Sequence, residues 1–196
     1  MRLLPALTAP LCLIAQTQVY RIHPGTGDRF ALEVEKTGLM SGRKHLFLFE
    51  RYQGWLRFDA ASPERSSVEL LVEAASLACQ DTWVKPKEIA KIEKTAREEM
   101  LAAEQYPQIR FRSEAVVRKG EEEFEVRGGL TLRGRTEPVT VLVRRLSVQG
   151  THMRFQGSAT VRLKDYGLKP PSALLGAIGT KNEMRVEFVV SALREP

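Results

Sequence analysis

The residues able to do chemistry are few, and their spacing works against most of it. His23, His45 and His152 lie in three separate segments, with no His-x-His, His-Glu-x-x-His or Cys-x-x-Cys spacing to gather metal ligands. Two cysteines, Cys12 and Cys79, exclude a disulfide scaffold and every four-thiolate metal site. No Gly-x-Ser-x-Gly elbow is present. The run Gly134-Arg135-Thr136-Glu137-Pro138 lacks the Gly-Lys-Ser/Thr ending of a phosphate loop. Gly176-Ala177-Ile178-Gly179 has no Rossmann context, and Glu121-Glu122-Glu123 reads as a solvated hairpin tip, not an acid/base pair. The expectation is a protein that is not an enzyme, with no catalytic residue, no metal and no cofactor beyond a bound lipid.

What remains is a surface. Along several alternating segments one face is apolar: Phe30, Leu32 and Val34; Leu70 and Val72; Phe111; Leu130 and Leu132; Phe155; Phe188. Gly157 follows Phe155 on the same face, and small residues there are expected to leave room. Pointed into a barrel, these eleven residues would line an apolar, tubular site suited to an acyl or isoprenoid chain. The polar head is expected at one mouth, near the helix or the 165–182 loop, because burying an unpaired head costs several kcal/mol.

The elements that must position this face follow from periodicity. Period two runs through 29–35, 67–75, 109–113, 153–163 and 184–190, with further strands at 44–50, 54–59, 124–132 and 139–146. Only 86–105 changes period: Ile89, Ile92, Ala96, Met100 and Ala103 recur every three or four residues and make one apolar stripe. About eight or nine strands, one inserted helix and no strand–helix alternation predict an all-β fold whose antiparallel sheet closes on itself.

A chain of 196 residues fits a single domain, taken as 16–196. Hydrophobic residues at 43% and charged residues at 28% indicate a folded chain rather than a disordered one. The net charge of +6 permits an anionic partner. Charges cancel over the helix at 85–105, five basic against five acidic. Arg110, Arg112, Arg127, Arg133, Arg144, Arg145, Arg154 and Arg162 interleave with apolar residues, but aromatics are sparse there and form no stacking array, so nucleic acid is not expected. These arginines read as a wet outer face. The sharper alternative is a filled barrel that acts as an interaction module for an acidic partner or membrane surface. Peripheral membrane contact and a homodimer are both compatible with this pattern.

Two stretches carry a resemblance. Tyr106-Pro107-Gln108-Ile109-Arg110-Phe111-Arg112-Ser113, after a helix, is similar to the YP-x-I-x-F-x-S segment of the YceI-like family. Gly128-Gly129-Leu130-Thr131-Leu132-Arg133-Gly134-Arg135-Thr136-Glu137-Pro138-Val139 resembles its G-x-L-T-[IL]-x-G-x-T-x-P-V stretch. Tyr20-Arg21-Ile22, Phe30-Ala31-Leu32 and Asp165-Tyr166-Gly167 match further family positions in order. The resemblance implies an eight-stranded antiparallel, lipocalin-like β-barrel binding an amphiphilic chain such as a polyisoprenoid or isoprenoid quinone, and it carries no shared catalytic set. Departures fall at His23, where Asp is usual, at Lys36-Thr37-Gly38, where His-x-Gly is common, and at Arg97-Glu98-Glu99-Met100-Leu101 in the helical insert.

Residues 1–15 pair one arginine with about a dozen mostly apolar residues and end at Ala15 before Gln16-Thr17-Gln18. The pattern is that of a short secretory signal, and with the family resemblance it makes a periplasmic or secreted location the expectation. Cleavage near Ala15 is predicted; a mature chain starting at Met1 or Arg2, read by N-terminal sequencing from the native host, would count against it.

Overall fold

Alternating segments leave backbone N–H and C=O groups along both edges of each strand, and these must find partners. The computed structural model, which describes residues 17–195, shows how they do. The leader reading at 1–15 falls outside the described residues. Among them are eleven strands: β1 (Gln18–Ile22), β2 (Arg29–Gly38), β3 (Lys44–Phe49), β4 (Tyr52–Phe58), β5 (Ser67–Glu73), β6 (Leu77–Cys79), β7 (Gln108–Arg118), β8 (Glu123–Leu132), β9 (Arg135–Gln149), β10 (His152–Arg162) and β11 (Ile178–Arg194). Eight of them close a ring in the order β1-β4-β5-β7-β8-β9-β10-β11 and back to β1, every pairing antiparallel. Closure removes the exposed edges of the sheet.

The strands beyond the nine segments read from periodicity are β1 and β6. The first part of β11 pairs with β2, and only its end, Ala192 to Arg194, reaches β1. Strands β2, β3 and β6 therefore leave the ring as a flap. The three residues of β6 are too few to show an alternation.

Closure also requires twist, which β-bulges supply at Ser113/Ala115 and at Arg154/Phe155. Gly128 pairs with Ser113 at the first bulge, and a Cβ there would fall 2.8 Å from the Ser113 Cα. Only glycine lets β7 and β8 approach so closely.

The helix α1 spans Pro86–Lys94, with Pro86 at its first position, where a missing N–H costs nothing. From Thr95 to Met100 it widens into a π-turn, with Leu101 N–H donating to the Ala96 carbonyl at 2.9 Å. Ile89, Ile92 and Ala96 pack on the main core, as the stripe predicts. Beyond them the core contact is Leu101 rather than Met100, because the wide turn adds a residue and shifts the phase. At the centre of that core, Phe30 stacks on Phe188 with ring centroids 5.7 Å apart and meets Tyr52 at 5.5 Å.

The flap is pinned by one buried polar pair. The register that sets Phe47 against Cys79 brings His45 against Asp81. His45 Nδ1–H donates to Asp81 Oδ2 at 2.5 Å, and Leu46 N–H donates to Asp81 Oδ1 at 2.8 Å. Trp83 stacks on the imidazole at 5.3 Å and donates its Nε1–H to the Lys44 carbonyl. Removing one partner strands a buried group, so His45→Ala is predicted to cost about 3–5 kcal/mol. In urea denaturation, His45→Ala with Asp81→Ala should cost clearly less than the two single changes added together; strict additivity would show the pair to be uncoupled.

Candidate functional site: an apolar lumen

Inward positions of the ring strands enclose a cavity of about 220 Å³. Its walls come from all eight ring strands, with Phe30 and Leu32 of β2 and Phe49 of β3 added from the flap and Leu101 entering from the end of the helical insert. Apart from Ser66 and Ser67, every lining residue is apolar.

Nine of the eleven expected residues meet on this lining: Phe30, Leu32, Leu70, Val72, Phe111, Leu130, Leu132, Phe155 and Phe188. Val34 is half-buried against the core but is not part of the cavity lining. Gly157 corrects the expectation of room. It is buried on the inward face, but it pairs across the strands with Phe188, and an added Cβ would collide with that ring. Phe188 occupies the volume that glycine vacates. Ala159, two residues on, does face the cavity.

Several lining residues were not among those expected. Val139, Val141 and Val143 alternate on β9, and Phe124 and Val126 on β8; the signal was present in both strands. Leu101 had no readable signal, because its place depends on the π-turn.

The two ends of the lumen differ. At one end, the β4–β5 connection supplies Phe58, Pro63, Ser66 and Ser67. Asp59 holds this connection by accepting the N–H groups of Ala61 and Ser62 at 3.0 and 2.9 Å. Nearby, the Arg145 guanidinium lies 5.6 Å from the Phe58 ring and grips Glu122 through both carboxylate oxygens. Those hydrogen bonds, and then the arginine charge, hold the Glu122 carboxyl below its ordinary range. At the opposite end, which the helical insert and the 165–182 loop share, the lumen meets a floor of Leu132, Val161 and Tyr166. Tyr166 sits in the Asp-Tyr-Gly turn that Gly167 ends in a left-handed conformation, and burial pushes its phenol up to about 12. The polar lining side chains therefore lie at the end opposite to the one expected for a polar head.

One group among the described residues could hold a cation: His45, Cys79 and Asp81 offer ligand atoms within 4.8 Å of one another, all buried. Their chemistry is already occupied. The carboxylate accepts from His45 and Leu46, burial pushes the Cys79 thiol up to about 11, and Lys36 brings its positive charge toward Asp81. None of the three side chains contributes a buried nitrogen or oxygen that lacks a hydrogen-bond partner. His23 and His152 lie apart from this group.

Known proteins share this architecture. The crystal structure of Burkholderia cenocepacia BcnA superposes with a TM-score of 0.66 at 19% identity, covering 84% of this chain and 95% of that one. A structure from Saccharophagus degradans, described as a polyisoprenoid binding domain implicated in plant cell wall breakdown, gives 0.65 at 13% identity over 92% and 100%. At these identities the likeness concerns the fold. In sequence, a UPF0312 protein of Pseudomonas savastanoi pv. phaseolicola is 31% identical over 132 residues. That match spans 63% of this chain and 63% of the relative. The model of the YceI-like domain matches residues 20–192, nearly the whole described barrel, and the chain belongs to the YceI-like family.

Proposed function

We propose that this protein binds the chain of an amphiphilic lipid, isoprenoid or fatty-acyl, inside the barrel, and carries or sequesters it without chemical change. The observation behind this reading is the cavity: an apolar tube with two serines at one end. The Saccharophagus domain, with the same fold, is described as polyisoprenoid-binding, which supports the ligand class. A leader at 1–15 and a periplasmic or secreted location accord with the same reading.

Magnitudes set the length of chain required. Burying a methylene gives roughly 0.8 kcal/mol, while association costs about 4–15 kcal/mol. About ten or more buried methylenes are needed for useful affinity. A cavity of 220 Å³ is below the roughly 300–1,000 Å³ of ordinary ligand sites, so a long chain must displace lumen side chains such as Phe188. The head would rest at the Ser66/Ser67 mouth, where it keeps access to water.

The alternative, a filled barrel recognising an acidic partner through its arginine-rich wall, finds less support. Arg110, Arg127, Arg145 and Arg162 are matched to Glu69, Glu125, Glu122 and Glu183. Paired charges of this kind leave little net field for a partner.

Organic extraction of the purified protein, with native mass spectrometry, should release a long-chain lipid. Ala159→Phe places a ring in the cavity; overpacking costs about 1–3 kcal/mol, so folding is checked by circular dichroism. The folded variant should take up a fluorescent polyene fatty acid at least tenfold more weakly than wild type. Equal uptake would place the ligand elsewhere, and no uptake by wild type would favour the filled-barrel reading.

A further inference from the structure

Two neighbouring loop segments are rich in basic residues. Segments 36–44 and 164–182 carry Lys36, Arg43, Lys44, Lys164, Lys169 and Lys181 against Asp165 alone, a net of +5 in a chain of +6. Glu33 and Glu35 on β2 answer Lys44 and Lys181, Lys36 turns its charge toward Asp81, and the Arg43 guanidinium lies 5.3 Å from the centre of the Trp83 ring. Arg43, Lys164 and Lys169 have no carboxylate within 4 Å among the described residues. This differs from the barrel wall, where most arginines are matched one to one.

The same two segments carry the most exposed leucines. Leu39 is 79% exposed and Leu174 68%, and Leu175 is fully exposed. The segments are held side by side. Gly38 pairs with Ile178, Leu39 N–H donates to the Ala177 carbonyl at 3.0 Å, and Ala173 bridges to Ile178. Leu174 and Leu175 are consecutive left-handed residues at φ 50° and 54°, a conformation that leucine adopts only under constraint. The backbone thus holds both side chains outward at a tip instead of turning them onto the core.

We propose that this tip docks the protein on an anionic lipid bilayer, the leucines entering the acyl region and the lysines and arginine facing lipid phosphates. Protruding apolar side chains within a cationic surround match a fluid, negatively charged leaflet. A folded acidic protein would need a pocket for each leucine. The surface lies outside the lumen, and its function does not depend on what the barrel holds.

Vesicle co-sedimentation with the full chain tests this. Wild type should bind phosphatidylglycerol/phosphatidylethanolamine vesicles at least tenfold more tightly than pure phosphatidylcholine vesicles, with binding that weakens as salt rises. Leu174→Asp with Leu175→Asp should lose at least tenfold, while Leu146→Asp, an exposed leucine on β9, should bind as wild type does. Independently, Leu175→Trp should show blue-shifted emission and bromolipid quenching on the anionic vesicles. Binding that ignores lipid charge, a double variant that binds normally, or a folded Leu175→Trp protein with no spectral change would overturn the proposal. So would sedimentation showing that the tip buries itself in a second copy of the chain. Docking retained by Ala159→Phe would show that this surface and the lumen act separately; docking lost with that lumen change would overturn their independence.

Discussion

The barrel depends on hydrogen bonding along β11. This strand pairs on one side with β10, from Glu183 to Leu193, and on the other with β2, from Ile178 to Val189, and then with β1 at its end. Without the last few pairs the ring would open into a sheet with two free edges, and the apolar inner face would be wet. With them, each ring strand has a partner on both sides and its inward side chains share one dry space. The lumen is thus a consequence of backbone satisfaction, and its apolar lining follows from which face of each strand the closure turns inward.

Closing the ring leaves the flap to be secured by other means. Just past β6 lies the buried carboxylate of Asp81, and His45 and Leu46 of β3 satisfy it in a place where an unpaired charge would be costly. The same contact positions Trp83 and the approach to α1, which runs over the helix end of the barrel. A triad of histidine, cysteine and aspartate that resembles a ligand set is, in this context, an anchor. Both oxygens of its carboxylate are taken up, by His45 and by the Leu46 N–H.

The resulting molecule is polar from end to end in a functional sense. One mouth offers two serines beside an arginine–glutamate pair, while the other is floored by leucine, valine and a buried tyrosine. Net positive charge and exposed leucines gather on loops at the floored end. An apolar lumen and an exposed surface at one tip are separate properties, because the first needs dryness and the second needs exposure.

Period-two alternation was enough, in the sequence alone, to place Phe30, Leu32, Leu70, Phe111 and Phe155 on a common face, because side-chain direction in a strand is local geometry. The Tyr-Pro and Gly-x-Leu-Thr stretches pointed to the family for the same reason: turns and close approaches demand particular residues at particular positions. Helix 86–105 was legible from its stripe, up to the π-turn. What tertiary structure alone decided was relative placement. Whether Gly157 leaves a void depends on Phe188 one strand away, and Phe188 fills it. Whether His45 is a solvated residue or an anchor depends on the register of a three-residue strand. Whether Lys44 and Lys169 belong to one surface depends on two turns more than a hundred residues apart meeting at Gly38 and Ile178. Each of these is a long-range pairing, set by closure of the whole ring, and no local pattern of residues encodes it.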